Sequence, residues 1–500
     1  MSYRYFDDFS YCFSGRTGLY YYAKRNLPEV SRQGKGAYIL KNNTLDMCHG
    51  PLLKKTVLYT VPIILTGILQ LLFNAADLVV VGQSCGNVSV AAVGATGALI
   101  NLIVNLFIGL SVGAGVSVAQ DLGARNEKDV SRIVHTAIPL SMVSGAFLTV
   151  VGVACARWFL ELMHTPENVL PLSTLYMRIY FCGMIPCMVY NFGSAILRAA
   201  GDTKGPLIYL TVSGVINVLL NLLFVNVFHM DVAGVALATT ISQTISAILI
   251  VFSLTRREDC CHLDMGRLGF DRRAMARMTR IGLPAGIQGS LFSISNVLIQ
   301  SSINSFGNLV MSGNAAGSNI EGFIYTSMNA LYQTTLNFVG QNVGAHKFDR
   351  VRRILGINLI LVAIVGIAAG STAWVFARPL LSIYITDSAE AIEYGVTRMT
   401  YICFPYFLCG LMDVMTGALR GLGSSVAPLI ITVLGVCAFR VGWIYTVFRI
   451  PEYHTISSLY LSYPISWVLT LAAQLTAFFF IFQKIKRNAL ETAARNETLP

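Results

Sequence analysis

The phrase VAQDLGAR at residues 118–125 returns almost unchanged as VGQNVGAH at residues 339–346, about half a chain later. Each copy closes an apolar stretch just before a basic run, with Gly123 and Gly344 where a glycine cap would end a helix. A phrase that recurs in the same local context indicates that two parts of the chain share one architecture. The two copies therefore give the register for aligning the two halves.

Two more blocks pair at nearly the same offset, 221 to 222 residues. VPIILTGILQLLFN at 61–74 aligns with LPAGIQGSLFSISN at 283–296, and ILRAAGDTKGPLI at 196–208 aligns with ALRGLGSSVAPLI at 418–430. Chance does not place three such blocks in one register. The sequence therefore contains an internal duplication.

The chain is strongly apolar: 54% of its 500 residues are hydrophobic and 12% are charged, whereas soluble domains carry about 25% charged residues. No Asp, Glu, Lys or Arg occurs between Leu78 and Gln120, or between Thr455 and Gln483. A helix that crosses a bilayer needs about 20 apolar residues. We therefore predict an all-α polytopic membrane protein with twelve transmembrane helices.

The twelve predicted helices form two lobes of six on either side of a basic loop. Six is an even number of crossings, so both sets begin on the same side of the membrane and are parallel repeats. The predicted organisation is a disordered N-terminal extension at 1–45, an N-lobe at 46–255, a cytoplasmic linker at 256–280, a C-lobe at 281–487 and a cytoplasmic tail at 488–500. Two such lobes enclose a central cleft, and rocking exposes that cleft alternately to each side of the membrane.

The formal net charge of +11 is concentrated in short loops between the apolar stretches, and the 256–280 linker alone carries seven arginines. We expect a plasma-membrane protein, and because loops rich in Lys and Arg stay in the cytoplasm, both of its termini are predicted to lie inside. The charge therefore reports orientation and does not indicate a nucleic-acid partner.

The chain offers no pattern typical of an enzyme. Its eleven cysteines are scattered through apolar segments without metal-ligand spacing, and no nucleotide-binding phosphate loop occurs. We therefore predict no catalytic residue, no bound metal and no cofactor. The expected partner is the lipid bilayer, and we expect a monomer.

The residues that carry a family resemblance are GPLLKKTVLYTVPIILTGILQLLFNAADLVVVG at 50–82, the paired Q-x-x-G-A phrases, and the LRAAGD and LRGLG motifs. Over about residues 46–487 the sequence resembles the multidrug and toxic compound extrusion (MATE) family. The resemblance implies a secondary antiporter that exports amphipathic, often cationic compounds in exchange for inward Na⁺ or H⁺.

The predicted coupling site rests on carboxylates inside the spans, because charged groups there are costly and usually functional. Asp77 stands where the family carries its first-span Asp. Glu321 and Asp413 are expected to replace second-lobe carboxylates that this chain lacks at the family's usual positions. With Arg440 these residues complete the set of charged groups predicted inside the spans. Pairing with Arg440 would instead make both second-lobe carboxylates structural.

Two amides extend the predicted coupling site. Asn217 and Asn221 lie four residues apart and therefore face the same side of one helix. Relatives of the archaeal type carry Asn followed by Asp at this spacing, so Asn221 is a departure that weakens a proton site built from two carboxylates. Amide oxygens suit Na⁺, and hydrogen bonding between helices is the competing interpretation.

Polar side chains on the inner helices are expected to line the substrate cleft: Gln70, Asn74, Gln288, Asn296, Gln300, Asn337 and Arg440. Two other functions stay open. A flippase for lipid-linked oligosaccharides would need a cleft dense in Arg and Lys, and a membrane-embedded lipid-modifying enzyme would need a His or carboxylate cluster at one surface.

Overall fold

The computed structural model of the protein describes residues 44–163, 165–386 and 388–497, and all regular elements in these ranges are helices. The segments before the linker are α1 (Leu52–Ser84), α2 (Asn87–Gly123), α3 (Glu127–Leu162), α4 (Leu170–Cys182), α5 (Met184–Ala199), α6 (Lys204–Leu222) and α7 (Asp231–Thr255). Those after it are α8 (Arg272–Asn304), α9 (Asn308–Gly344), α10 (Phe348–Val375), α11 (Ala377–Ser382), α12 (Ala389–Arg398), α13 (Phe407–Gly421), α14 (Val426–Thr432), α15 (Phe439–Tyr445) and α16 (Ile456–Glu497).

Some of these helices join end to end into longer segments. α4 and α5 meet at Gly183 with a bend of 49°. α12 and α13 are connected by a π-helical turn (Met399–Cys403) and a 3-10 turn (Phe404–Tyr406), and a π-helical turn (Val433–Ala438) connects α14 to α15. Twelve long segments result in the described part of the chain, six on each side of the linker.

The prediction of an all-helical membrane protein is confirmed, but its span count is met only in part. Within the described ranges nine helices are long and apolar enough to cross a membrane, or ten if the bent pair α4 and α5 is one span. The long helices outside this set are α8, which begins RRAMARMTR, and α9, which carries Asn, Gln and Thr along its length. These polar residues lower the hydropathy of both helices, and polar side chains of both helices line a cavity of the second half.

Three predicted boundaries fall inside ordered structure. α8 starts at Arg272 because the Asp271 side chain accepts a hydrogen bond from the Ala274 amide at 2.8 Å and caps the helix, so the 256–280 linker is partly helical. α16 continues to Glu497, within the predicted tail. The Leu45 amide donates to the Gly201 carbonyl at 3.1 Å. The rest of the predicted disordered extension, residues 1–43, lies outside the described residues.

The outer faces of the helices suit a lipid environment. On α10, Ile360, Ile364 and Ile367 share one face and are 61%, 59% and 49% exposed. A contiguous exposed apolar stripe of this kind is unfavourable in water and favourable in a bilayer. The exposed apolar faces and the long apolar helices therefore both indicate that the protein lies in a membrane.

Close contact between the halves depends on glycine where α2 crosses α8. A Cβ atom added to Gly113 would lie 2.1 Å from the Met278 carbonyl oxygen, and one added to Gly286 would lie 2.0 Å from the Leu106 carbonyl oxygen. Glycines spaced by four residues on both helices allow this approach, as is common in membrane bundles. The α2 glycines therefore serve helix packing.

The two repeated phrases meet at the C-terminal ends of α2 and α9. We call this region, which contains residues 118–125 and 339–346, the basic end of the molecule. A Cβ on Gly123 would lie 1.9 Å from the Gln341 carbonyl oxygen, and one on Gly344 would lie 1.8 Å from the Gln120 carbonyl oxygen. The prediction that these glycines cap the helices is wrong. Each glycine is the last residue of its helix, and the C-caps are Ala124 and Ala345. The left-handed residues that follow are Arg125 and His346, each with φ of 55°. The glycines are needed instead for the crossing of the two backbones.

We expect Gly344→Ala to destabilise the protein by about 1–3 kcal/mol, because the new methyl group overlaps a backbone atom that cannot rotate away. Thermal unfolding of the purified protein measures the effect. Gly356→Ala is the matched control, since no atom lies within 4 Å of a Cβ at this helical position, and alanine there should be neutral or slightly stabilising. Equal unfolding temperatures for the two variants would contradict the proposed role of Gly344.

Candidate functional site

The basic end is closed by a pair of equivalent hydrogen bonds, one from each copy of the repeated phrase. The Gln120 side-chain amide donates to the Gly421 carbonyl at 2.9 Å, and the Gln341 side-chain amide donates to the Ala199 carbonyl at 2.7 Å. Gln120 is equivalent to Gln341 in the duplication, and Ala199 is equivalent to Gly421. Each half therefore uses the same glutamine to bind the other half.

The neighbouring position of the phrase differs between the copies and adds a different contact in each. Asp121 accepts two hydrogen bonds of 2.7 Å from Arg277 on α8, whereas its counterpart Asn342 donates to the Met47 carbonyl at 3.1 Å. Met47 is fully buried, and the Lys347 ammonium donates to the Cys48 carbonyl at 3.1 Å. An ion pair and the segment before α1 thus reinforce the closed basic end.

A polar cluster in the first half brings together the predicted residues of α1 and α6. The Asn221 side-chain amide donates to the Asp77 carboxylate at 2.5 Å and to the Asn217 side-chain oxygen at 3.4 Å. Asn217 donates to the Thr239 hydroxyl on α7 at 3.4 Å. Both asparagines are buried, 4% and 0% exposed, and Asp77 is half-buried. The four-residue spacing on α6 explains why one carboxylate reaches this pair.

The cluster has the ligands that a hard cation needs. Carboxylate, amide and hydroxyl oxygens are the groups that bind such cations, and Asp77, Asn217, Asn221 and Thr239 each bring one. The Asn221 side-chain oxygen is buried and has no hydrogen-bond partner in the described structure, and Asp77 has no Lys or Arg within ion-pair distance there. The geometry is therefore suited to a cation such as Na⁺, or to a proton on Asp77.

A separate cavity of about 550 Å³ lies mainly among helices of the second half. Six of the predicted site residues line it: Gln288, Asn296, Gln300, Glu321, Asp413 and Arg440. Its walls also include the rings of Tyr325, Tyr332, Tyr406, Tyr463 and Trp467. Aromatic walls with a few charged groups are typical of a site for an amphipathic ligand.

The charges in this cavity differ from those predicted. Glu321 pairs with Arg398 on α12 at 2.5 Å, and Arg398 also donates to the Asn314 side-chain oxygen at 2.6 Å. The alternative in which Arg440 neutralises Glu321 is therefore wrong. Asp413 makes no hydrogen bond or ion pair with any described residue, and Arg420 is the cation whose charge reaches it, so its carboxylate remains available to a ligand.

Two arginines of the cavity, Arg398 and Arg420, were absent from the predicted set of interior charges. Arg398 interrupts an apolar stretch, which is itself a signal for a functional or paired charge. Arg420 aligns with Arg198 in the duplication, so the repeat marked its position without indicating its role. Its side chain contacts the Tyr332 hydroxyl and donates to the Gln288 side-chain oxygen at 2.8 Å.

The other predicted cleft residues lie elsewhere. Gln70 and Asn74 are exposed on α1 and do not line the cavity. Asn337 is buried on α9, where its side-chain amide donates to the Gln333 carbonyl at 2.9 Å. The predicted substrate role of these three residues stays a prediction.

Comparison with known proteins agrees with the duplication. The profile of the family described as MatE matches residues 62–223 and 284–446, one match on each side of the linker. The probable multidrug resistance protein YoeA of Bacillus subtilis is 26% identical over 436 residues, covering 85% of this chain and 93% of the relative. The probable multidrug resistance protein NorM of Thermotoga maritima is 24% identical over 411 residues, covering 81% and 87%.

The fold is similar to that of solved transporters. A structure of an outward-facing multidrug resistance MATE family transporter of the MOP superfamily superimposes with a TM-score of 0.81 and 20% identity. The match covers 89% of this chain and 99% of that one. The arrangement of helices is therefore shared along almost the whole chain.

Proposed function

The chain belongs to the MatE family of multidrug efflux transporters, and on that premise we propose that it is a secondary active antiporter. It exports amphipathic compounds, cationic ones among them, in exchange for inward Na⁺ or H⁺. It acts as a monomer in the plasma membrane, with its basic end and both termini in the cytoplasm. Members of this family are transporters and not enzymes.

The observation that carries the proposal is the separation of the Asp77 cluster from the aromatic cavity. Asp77 is not among the residues that line the cavity, so an ion and a substrate have different places to bind. A half-buried carboxylate without a neighbouring cation is costly unless a proton or a metal ion neutralises it. Binding of that ion is therefore linked to the state of the first half, as antiport requires.

The closed basic end supports alternating access. The two glutamine bonds, the Asp121–Arg277 ion pair and the contacts of Met47 all join the halves at that end. Opening the cavity toward the cytoplasm must break them together, because they bridge the same pair of surfaces. These contacts all lie at one end of the molecule, so ion and substrate binding can shift the equilibrium by exchanging contacts there.

The second-half carboxylates have different roles in this proposal. Asp413 has no partner and is available as the counter-charge for a cationic group of the substrate. Glu321 is already neutralised by Arg398, so we assign it to stabilising α9 against α12. The sequence predicts ion-coupling carboxylates in both lobes, whereas this proposal assigns ion coupling mainly to Asp77.

The purified protein reconstituted into vesicles tests the proposal. We expect ethidium transport when either a Na⁺ gradient or a pH gradient is imposed at zero membrane potential, and reversal of that gradient should reverse the direction. The gradient that works identifies the coupling ion. Transport that needs ATP and persists after both gradients are collapsed would contradict antiport.

A flippase of the same superfamily is the second candidate, because three arginines (398, 420 and 440) line the cavity. One of them is neutralised by Glu321, which leaves two for a lipid pyrophosphate. Movement of a fluorescent lipid-linked sugar across vesicles that fail to transport ethidium would favour this alternative.

A further inference from the structure

Arg440 is a buried cation without an anionic partner. Its side chain is on the cavity wall and 2% exposed. The Nε atom donates to the Ser466 hydroxyl at 3.0 Å, and the guanidinium lies 3.9 Å from the centre of the Tyr463 ring. One terminal nitrogen, Nη2, is buried with no hydrogen-bond partner in the described structure, and no described carboxylate lies within ion-pair distance.

Arg420 also forms no ion pair in the described part of the chain, although the charge of Asp413 reaches it. It is 7% exposed, its two terminal nitrogens contact the neutral side chains of Tyr332 and Gln288, and its Nε atom has no partner among the described residues. Arg398 on the same cavity differs, because Glu321 neutralises it. Of the carboxylates that line the cavity, Asp413 is therefore the only one left to oppose two arginines.

Two buried arginines opposed by a single carboxylate are costly unless an anionic ligand enters the cavity. A buried charge that lacks a counter-ion loses its hydration without an equivalent gain. A guanidinium presents its N–H groups in a planar fork that matches the two oxygens of a carboxylate or a phosphate. The guanidinium of Arg440 lies on the wall of a cavity that already has aromatic walls, so it can present this fork to a ligand there.

We propose that this cavity binds an aromatic amphiphile through an acidic group, a carboxylate or a phosphate, held by Arg440. Arg420 adds positive charge to the site, and the ring of the ligand packs against Trp467 and the neighbouring tyrosines. A zwitterionic ligand can place its cationic end against Asp413. The proposal rests on the transporter function and names the chemical class of its substrate.

Equilibrium binding to the purified full chain tests it without any ion gradient. The probes are a rhodamine with a free carboxyl group and the methyl ester of the same rhodamine, which share one ring system and differ in the acidic group. We expect the acid to bind more tightly than the ester. Equal affinities, or tighter binding of the ester, would overturn the proposal even if no variant could be purified.

Substitutions of Arg440 then test whether this residue holds the acidic group of the ligand. Arg440→Gln should lower the ratio of acid to ester affinity about tenfold, the usual effect of losing a charge-assisted hydrogen bond. Arg440→Lys keeps the positive charge but not the planar pair of donors. Its ratio of acid to ester affinity should lie between those of the wild type and Arg440→Gln. Arg267→Gln is the matched control, because this arginine is exposed in the linker. An unchanged ratio in folded Arg440→Gln would overturn the assignment.

Two competitors distinguish the source of the acid. Displacement of the acid dye by hexyl phosphate supports a soluble ligand, and displacement by phosphatidylglycerol supports a lipid headgroup. Failure of the acid dye to move under any gradient would count against the antiporter alone, because the affinity ratio is measured at equilibrium.

Discussion

Asp77→Asn is expected to lower gradient-driven export roughly a hundredfold, the largest functional effect of any single substitution that we predict. Asparagine keeps the size of the side chain and its hydrogen bond to Asn221, but it cannot carry a proton or a full negative charge. Removing one charged ligand of this kind costs about 3 kcal/mol, which corresponds to about two powers of ten. Initial export rates from energised vesicles measure the effect.

Two controls separate coupling from general damage. Glu161→Gln removes a carboxylate of the same half that forms an exposed ion pair with Arg157, and it should export at the wild-type rate. Equilibrium binding of substrate to Asp77→Asn should change far less than transport, because Asp77 does not line the cavity. Wild-type export by Asp77→Asn under both gradients would rule out this residue as the coupling group.

Arg398→Gln is expected to have the largest effect on stability, a loss of about 3–5 kcal/mol in the free energy of unfolding. The variant leaves Glu321 charged in a site where it is only 17% exposed, and it removes the donor to Asn314. An uncompensated buried charge is among the most destabilising changes in a protein. Thermal unfolding in detergent measures the loss.

A surface pair in the same half is the matched control. Arg378 and Glu393 lie 3.0 Å apart and are 72% and 56% exposed, so Arg378→Gln should cost less than about 1 kcal/mol. The double variant Arg398→Met with Glu321→Leu should recover most of the lost stability, since apolar pairs replace buried ion pairs at little cost. If Arg398→Gln unfolded at the same temperature as Arg378→Gln, the pair would not stabilise the fold.

The sequence predicted the first-half cluster better than the second-half cavity. Asn217 and Asn221 are four residues apart on one helix, so the helical period alone places them side by side. Asp77 follows from the rarity of carboxylates inside spans. For the cavity, the sequence identified Glu321 and Asp413 but not which arginine stands beside them.

The sequence by itself determined the membrane environment, the helical class and the duplication, because these depend on composition, local period and register. Only the tertiary structure decided the partners: Glu321 and Arg398 are 77 residues apart on different helices, and no local rule joins them. The same holds for the repeated phrase, whose glutamines bind backbone carbonyls of the opposite half. Local patterns fix which face a side chain lies on, whereas the packing of helices distant in sequence fixes the atoms that it meets.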